Sequence, residues 1–320
     1  MDNQQLASIY KDILALRWEP VAVRLLRPGE AVPAGVAEPT ARLRHCQSII
    51  AARRGYSLYM PTRRHACPDG AAIMGLIPMP PKLQSGELYL LFKKLPTLEC
   101  ARKMIAARPY FPAGSYEATL VAPLSKASFE ADVVIFTLWP EQAMWLCMAQ
   151  SYNSGERHSF NTSGYNSTCA DLTVQPMQTG KMNISFGCYG GRASSDIDDF
   201  ELYLSLPAAQ LEMVARSLQK LAQKSIPEAR HKIYMPPVLD KVGAPEKKRG
   251  DVPAVQISID AAKCLGEGLC ADFCPYGVLV MEEHDGRQVP VVKNPEQCTA
   301  CYTCVGQCPA GVIQVLQQGQ

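Results

Sequence analysis

Long hydrophobic runs are missing from this sequence of 320 residues, in which the longest strongly apolar stretch covers about residues 133–139. A helix that crosses a membrane needs about 18 to 20 apolar residues in succession, so no membrane span is predicted. The opening Met-Asp-Asn-Gln-Gln has neither the basic nor the apolar segment of a secretory signal. We therefore expect a soluble, cytoplasmic protein.

Charge of one sign is not in large excess, since 32 Lys and Arg residues stand against 30 Asp and Glu residues. Such a balance gives no indication of nucleic-acid or membrane-surface binding. The balance conceals an asymmetry, because residues 1–110 carry 16 basic and 8 acidic side chains, whereas residues 255–320 carry 3 and 7. The basic side is interpreted as a solvated face, an anion site or a docking surface for the acidic end with Glu282, Glu283 and Asp285. It includes Arg42, Arg44, Arg53, Arg54, Arg63 and Arg64.

Familiar catalytic templates are also missing. The chain has no G-x-S-x-G elbow, Walker loop, H-E-x-x-H zinc motif or strand-anchored G-x-G-x-x-G, and no RNA-binding module. Glu141 and Asp171 are the candidates for proton transfer, followed by His45 and His158. The sequence therefore leaves open whether the chain is an enzyme.

Cysteine, by contrast, is abundant: there are 13, of which seven follow residue 263. In a cytoplasmic chain this favours metal or redox chemistry over a disulfide framework. The sequence Cys298-Thr-Ala-Cys301-Tyr-Thr-Cys304-Val-Gly-Gln-Cys308-Pro309 is a complete C-x2-C-x2-C-x3-C-P run. In such runs three thiolates bind one cubane cluster and the fourth binds another. The same run, displaced by 34 residues, supplies Cys264, Cys270, Cys274 and Pro275.

Residues 255 to about 317 resemble the bacterial two-cluster ferredoxins, which implies a pseudo-twofold fold. The resemblance implies that one [4Fe–4S] cluster is held by Cys274, Cys298, Cys301 and Cys304, and a second by Cys264, Cys270 and Cys308. Glu267 stands where the fourth ligand of the second site is expected. Its carboxylate could bind the iron, leave it open, or let it be lost to give [3Fe–4S]. Two alternatives remain, a pair of four-thiolate zinc sites and a domain that retains one cluster.

The hydrophobic pattern predicts a large mixed α/β N-terminal domain. Together with the small dicluster ferredoxin-type domain that the resemblance implies, this gives an α+β protein. We expect domains at residues 1–225 and 255–320. Residues 226–254, rich in proline and charge, form the predicted linker, or alternatively an extended arm packed on the large domain. Strands are predicted at residues 21–26, 88–92, 118–121, 132–139, 182–186 and 200–204. Helices are predicted at residues 5–16, 69–76, 97–107, 141–149 and 208–221.

The N-terminal domain resembles a prokaryotic, cysteine-rich family of unknown function. The resemblance rests on the segments Arg44-His45-Cys46-Gln47, Cys67-Pro68-Asp-Gly-Ala-Ala, Pro140-Glu141-Gln142-Ala143-Met144, Cys169-Ala-Asp171 and Gly187-Cys188-Tyr189-Gly190. It implies no settled activity, so any function must be argued from the residues themselves.

Four cysteines of this domain are candidate site residues: Cys46, Cys67, Cys169 and Cys188. They either share a third metal centre or line a ligand pocket, in which Arg44 and Arg192 would hold an anionic small molecule. Cys67 and Cys46 are also catalytic candidates. Cys67 precedes a predicted helix and follows Arg63, Arg64 and His65, which would lower its pKa. Cys46 follows Arg44 and His45 in a comparable basic setting. Cys100 and Cys147 are expected in the core.

The leading hypothesis is a redox protein of anaerobic metabolism. Its C-terminal clusters take single electrons from a donor protein and pass them to a substrate, cofactor or metal centre in the N-terminal domain. If it is an enzyme, it is an iron–sulfur oxidoreductase. The rival hypothesis is a non-catalytic electron-carrier or maturation subunit whose N-terminal domain docks on a partner oxidoreductase. An iron–sulfur sensor is the third, and the oligomeric state is left open.

Overall fold

The computed structural model describes residues 1–230 and 255–317. The chain folds into two compact units, Met1–Gln223 and Lys224–Gln320. Most of the predicted linker, residues 226–254, lies outside the described residues. Its described beginning belongs to a short helix, Ser225–Arg230. Among the described residues, no helix has the length and apolarity to cross a lipid bilayer.

A six-stranded antiparallel sheet forms the centre of the first unit, with strand order β2-β3-β1-β4-β6-β5. The strands are β1 (Val21–Leu26), β2 (Leu58–Pro61), β3 (Ala118–Pro123), β4 (Val133–Leu138), β5 (Asn183–Ser185) and β6 (Leu202–Pro207). In the register, Val21 of β1 lies opposite Pro123 of β3 and Ile135 of β4. The α+β prediction is confirmed, and β1 has the predicted bounds.

The helices of this unit, in chain order, are α1 (Asn3–Leu14), α2 (His45–Arg53), α3 (Pro68–Ile73), α4 (Pro81–Gln84), α5 (Glu87–Leu91), α6 (Leu98–Ala107), α7 (Pro140–Ser151), α8 (Gln175–Thr179), α9 (Tyr189–Ser194) and α10 (Leu211–Leu221). A π-helix, Ser167–Val174, precedes α8. Residues 88–92, predicted as a strand, instead lie almost entirely in α5, which begins after Gly86. Helix α2 and strand β2 were not predicted.

Both faces of the sheet are covered, which explains the continuous apolar sequence of β4. Val133 and Ile135 pack with Ile49 of α2 and Leu172 of the π-helix. Phe136 points to the other face, where its ring centroid lies 4.9 Å from that of Tyr10 in α1. Because successive side chains of a strand alternate between faces, a strand covered on both sides is apolar throughout. The first of these two faces carries the elements that build the site.

Most of the N-terminal arginines form ion pairs or hydrogen bonds inside their own unit. Arg53 is buried and its Nη1 lies 2.9 Å from Glu201 Oε2. Arg54 pairs with Asp196, and Arg63 and Arg64 both pair with Glu38. Arg42 donates to the carbonyl oxygen of His65. Arg44 is the arginine of this group that lines a cavity.

The second unit shows the same order of elements twice. The helix Ser225–Arg230 is counted as α11. The first half of the repeat consists of β7 (Val255–Ile259), a 3-10 turn, α12 (Leu269–Asp272) and β8 (Leu279–His284). The second half consists of β9 (Arg287–Val292), a 3-10 turn, α13 (Thr303–Gln307) and β10 (Ile313–Gln317). β7 pairs with β10 and β8 with β9. Cysteines make up much of its core, where Cys270, Cys298 and Cys308 pack with Val278 and Leu279. The small two-cluster ferredoxin-type fold is confirmed.

Candidate cluster sites and a four-cysteine cavity

The seven C-terminal cysteines line two separate small cavities. One cavity is lined by Cys274 from the first half of the unit and by Cys298, Cys301 and Cys304 from the second half. The other is lined by Cys264, Cys270 and Cys308, together with Glu267. The fold thus brings together the two sets of side chains that the paired motifs predict, including the exchange of Cys274 and Cys308 between halves.

Backbone amides point at two of these sulfurs. Gly266 N–H donates to Cys264 Sγ at 3.4 Å, and Val278 N–H donates to Cys274 Sγ at 3.3 Å. Hydrogen bonds to ligand sulfurs are among the features that set the potential of an iron–sulfur cluster. Burial raises the pKa of the Cys304 thiol to about 11, so this sulfur becomes a thiolate when a metal replaces its proton. The donor set therefore fits two clusters.

Glu267→Cys is expected to change the electron paramagnetic resonance spectrum of one cluster only. Glu267 lines the cavity that has three cysteines, so a thiol there completes a four-cysteine set. Because ligand type sets the electronic structure and potential of a cluster, the signal from this site should shift. The signal from the site of Cys301 should stay unchanged. Glu296→Cys, an exposed position outside both cavities, is the control. Identical spectra for the wild type and Glu267→Cys would contradict the assignment.

Four N-terminal cysteines line one further cavity of about 230 Å³, here called the four-cysteine cavity. Each comes from the beginning of a helix. Cys67 and Cys188 are the N-cap residues of α3 and α9, Cys46 is the second residue of α2, and Cys169 is the third residue of the π-helix. Residues separated by up to 142 positions in the sequence thus meet at one point of the unit.

The N-cap cysteines are built alike. Gly70 N–H donates to Cys67 Sγ at 3.4 Å, and Gly191 N–H donates to Cys188 Sγ at 3.2 Å. Both pairs have the sequence Cys-x-x-Gly, because the N-cap side chain accepts from the third residue of its helix. N–H to sulfur contacts also occur at Cys264 and Cys274, where the donors lie two and four residues further along the chain.

A buried polar network holds the helix beginnings that carry Cys67 and Cys169. Asp69 accepts from Arg108 Nη1 at 2.8 Å, from Tyr89 Oη at 2.7 Å and from Asn166 Nδ2 at 2.6 Å. Asp69 lies in the first turn of α3, and Asn166 is the N-cap of the π-helix. The network therefore fixes α3 relative to the π-helix. The sequence analysis did not predict this network, because none of these side chains except Asp69 is next to a cysteine motif.

Burial of Cys67 acts against the predicted lowering of its pKa. Burial raises the pKa of the Cys67 thiol, and its basic neighbours point elsewhere. Arg63 and Arg64 are paired with Glu38, and burial lowers the pKa of His65 to about 4, so its imidazole is neutral at pH 7. Burial also raises the pKa of Cys46 to about 11 and that of Cys169 above its ordinary value. Without a bound group these thiols are protonated.

Other predicted site residues lie outside this cavity. The Arg192 guanidinium donates to the carbonyl oxygens of Phe186, Asp198 and Glu201, and Arg192 is not among the residues that line the cavity. Within the described part of the chain, Glu141 and Asp171 do not line the cavity either. Glu141 accepts from Trp145 Nε1. Cys100, expected in the core, is exposed, while Cys147 is half-buried.

Asp171 should instead show its effect in the pH dependence of stability. Burial raises the pKa of this carboxyl to about 7, from 3.8, and its Oδ2 accepts from the hydroxyls of Thr162 and Ser185 at 2.8 and 2.9 Å. Below about pH 4 the carboxyl is protonated in both the folded and the unfolded state. The folded state keeps the proton up to about pH 7, so stability falls as pH rises between these values and stays lower above them.

Asp171→Asn removes this titration while keeping an oxygen that accepts from both hydroxyls. The free energy of unfolding of the wild type should fall between pH 4 and pH 8. In Asp171→Asn this fall should be smaller by a few kcal/mol. Urea unfolding followed by tryptophan fluorescence measures it, because all three tryptophans lie in residues 1–223. Asp199→Asn, at a fully exposed side chain, is the control. Parallel pH profiles for the wild type and Asp171→Asn would contradict the prediction.

The two units match different protein families. Residues 10–217 match the DUF169 family, described as "Uncharacterised ArCR". The chain belongs to this family. Residues 240–312 match a 4Fe-4S dicluster domain. This DUF169 protein thus carries a ferredoxin module with cysteine-ligated 4Fe-4S clusters, which supports a role as an iron–sulfur electron carrier.

Relatives of the two parts are separate proteins. Uncharacterized protein MJ0308 of Methanocaldococcus jannaschii is 31% identical over 205 residues, which cover 63% of this chain and 88% of that protein. Uncharacterized ferredoxin MJ0722 of the same organism is 36% identical over 62 residues, 19% of this chain and 79% of the ferredoxin. Ferredoxin-3 of a Nostoc species is 38% identical over 71 residues, 18% of this chain and 73% of that ferredoxin.

Proposed function

We propose that this chain moves single electrons through the cluster sites of its C-terminal unit to a redox centre held in the four-cysteine cavity. The observation that carries the proposal is the distribution of the 13 cysteines. Seven line the two ferredoxin-type cavities, four meet in a cavity of the other unit, and only Cys100 and Cys147 remain. A bound [4Fe–4S] cluster accepts and gives one electron at a time. Cysteine is the residue type that metal and redox centres need.

The comparisons support a functional link between the units. In M. jannaschii a DUF169-like protein and a ferredoxin are separate proteins, whereas here both parts are joined in one chain. Joining raises the effective concentration of one module at the other. The electron donor would be a redox partner protein, of the kind that ferredoxin-type relatives work with. The acceptor would be a metal centre, a cofactor or a small substrate in the cavity.

A reductive titration of the full chain tests the proposal. The protein is purified without oxygen and titrated with a one-electron reductant, and the electrons taken up per chain are counted. We expect the wild type to accept at least one electron more than a variant with Cys46→Ser and Cys188→Ser. The C-terminal signals should be alike in both proteins. An equal count would show that the cavity holds no electron acceptor and would overturn the proposal.

A second function, that of an electron-carrier or maturation subunit docked on a partner oxidoreductase, is favoured by one surface feature. Met144, Met148 and Tyr152 are exposed at four-residue spacing on and just after α7, and Trp139 at its N-cap is exposed too. An exposed apolar stripe of this kind is typical of a docking surface. Equal electron counts in the titration, together with a stable complex with an oxidoreductase, would establish this function instead.

A further inference from the structure

We infer that the four-cysteine cavity holds a polynuclear iron–sulfur cluster bound by Cys46, Cys67, Cys169 and Cys188. The inference identifies the acceptor in the proposed function and rests on it for its purpose. Its evidence is separate, however, since it concerns what the cavity binds rather than where electrons go. The four side chains come from four different helix beginnings, and no other cysteine of the described residues lines the cavity.

Two glycines show how close the sulfurs are. A β-carbon at Gly70 would lie 3.7 Å from Cys67 Sγ and 3.6 Å from Cys169 Sγ. A β-carbon at Gly191 would lie 3.4 Å from Cys188 Sγ and 3.8 Å from Cys46 Sγ. Neither pair of sulfurs can therefore be farther apart than the sum of its two distances. A side chain at either glycine would stand against two of the four thiols.

The donor set suits a cluster. Both two-iron and four-iron clusters use four thiolates, and four cysteines line the cavity. Several iron atoms with bridging sulfides spread the cysteine ligands apart, so the four side chains can come from four separate helix beginnings.

The cavity is smaller than most sites for organic ligands. Its volume of about 230 Å³ is below the roughly 300 to 1,000 Å³ that is usual for such ligands, and it exceeds the volume of about 20 Å³ of each ferredoxin-type cavity. Tyr89, Phe92, Tyr165 and Tyr189 line it, and Lys94 Nζ lies 4.8 Å from the ring centroid of Tyr189. Tyr89 is buried, whereas Phe92 and Tyr189 are more than half exposed, so a group bound in the cavity would be partly open to solvent. Solvent exposure is one of the features that set cluster potential.

A buried nitrogen beside the cavity also lacks a partner. His45 lines the cavity and its Nδ1 has no hydrogen-bond partner within the described ranges. Its Nε2 lies 3.2 Å from the hydroxyl of Thr173, which itself donates to the carbonyl oxygen of Thr168. Thr173 therefore accepts from Nε2, so Nδ1 carries a lone pair. Buried polar atoms of native proteins usually have a partner, and a water molecule in the cavity would donate to this lone pair.

Binding would form one iron–sulfur bond from each cysteine. Each thiol loses its proton to water as its bond to iron forms, and this ligand exchange transfers no electron. The ferrous and ferric iron and the inorganic sulfide of the oxidised core come from the medium during reconstitution, so no further oxidant is needed. Gly70 and Gly191 leave the space beside the sulfurs free, and their N–H groups remain bonded to two of the ligand atoms.

Iron and sulfide analysis of the full chain, reconstituted without oxygen from iron and sulfide, tests the inference. A variant with Cys67→Ser and Cys169→Ser should lose about two or four iron atoms per chain relative to the wild type. Its C-terminal paramagnetic signals should persist, which shows that the other sites are loaded. Unchanged iron would overturn the inference, and so would the loss of about one iron atom without sulfide, since that indicates a single ion.

Matched variants separate the loss of a ligand from a loss of fold. Cys100→Ser and Cys147→Ser remove the two cysteines outside all three cavities and should leave the iron content unchanged. Gly70→Ala adds a methyl group at ordinary contact distance from the two thiols, so the unit should fold, with wild-type tryptophan fluorescence. It should nevertheless bind less iron, because the methyl group occupies space that the cluster needs. Full iron content in Gly70→Ala would contradict the inference.

The inference and the proposed function can fail separately. If iron is lost with Cys67 and Cys169 but the electron count stays the same, the cluster exists and the proposed relay is wrong. If the electron count falls but iron does not, the relay has an acceptor other than a cluster and the inference is wrong.

Discussion

Replacing Arg53 by methionine is expected to lower the free energy of unfolding of the N-terminal unit by about 3–5 kcal/mol. The side chains of Arg53 and Glu201 are only 1% and 2% exposed, and they form an ion pair at 2.9 Å. Glu201 also accepts from Trp18 Nε1 at 2.8 Å, and the guanidinium lies 4.5 Å from the Trp18 ring centroid. Removing the arginine leaves a buried carboxylate whose charge is no longer compensated.

Arg54→Met is the matched control, because Arg54 is adjacent in sequence but half-exposed and pairs with Asp196 at the surface. Exposed pairs of this kind contribute about 0–1 kcal/mol. The double variant Arg53→Met with Glu201→Leu should recover much of the loss, since it removes both charges. Urea unfolding monitored by tryptophan fluorescence gives all three values. If Arg53→Met and Arg54→Met lowered the free energy of unfolding by similar amounts, the buried ion pair would contribute no more to stability than the exposed one.

Cys301→Ala is expected to remove one cluster and to destabilise the whole C-terminal unit. Cys301 lines the same cavity as Cys274, Cys298 and Cys304, and buried cysteines form much of the core of this unit. Four-thiolate sites contribute their binding energy directly to folding in small metal-binding domains. We expect the loss of about four iron atoms per chain and a lower temperature for the thermal unfolding transition of this unit. Iron analysis and thermal scans under exclusion of oxygen measure the two effects.

Cys100→Ala provides the comparison for that variant, because Cys100 is exposed and lines none of the three cysteine-lined cavities. It should keep all of its iron and its transition temperature. A Cys301→Ala protein with the full iron content of the wild type would show that this motif position binds no cluster.

The ferredoxin-type unit could be predicted from the sequence because its signal is local. Seven cysteines at fixed spacing, repeated after 34 residues, specify two sets of side chains, and the fold places those sets around two cavities. The motif also showed that Glu267 stands at an unusual position. The hydrogen bonds to the cysteine sulfurs could not be predicted from the spacing, because they depend on the backbone conformation at Gly266 and Val278.

The N-terminal cavity was predicted only as a set of residue types. Cys46, Cys67, Cys169 and Cys188 have long and irregular spacing, so nothing local indicates that they meet. Their meeting depends on α2 and the π-helix, and the sequence predicted neither. One signal was available: Cys67 and Cys188 share the pattern Cys-x-x-Gly, which reflects the same N-cap geometry in α3 and α9.

Errors in the N-terminal unit have a common physical cause. The apolar run of residues 88–92 looks like a strand, yet it forms a short helix that begins after Gly86, in a left-handed conformation at φ +86. The glycine-rich turn before Arg192 looked like an anion loop, yet the guanidinium is bound by three carbonyl oxygens. In both cases the backbone path over a few neighbouring residues decides the outcome: the helix begins at a left-handed glycine, and the acceptors of Arg192 lie six to nine residues away. Residue types alone do not give that path.

Time-resolved reduction of the full chain tests the central claim most directly. A pulse of one-electron reductant is given to the wild type and to the variant with Cys46→Ser and Cys188→Ser, with no partner protein present. The paramagnetic signals of the C-terminal clusters are then followed by rapid freezing. We predict that these signals decay in the wild type as the electron moves to the cavity and persist in the variant. Signals that persist equally in both proteins would contradict the account.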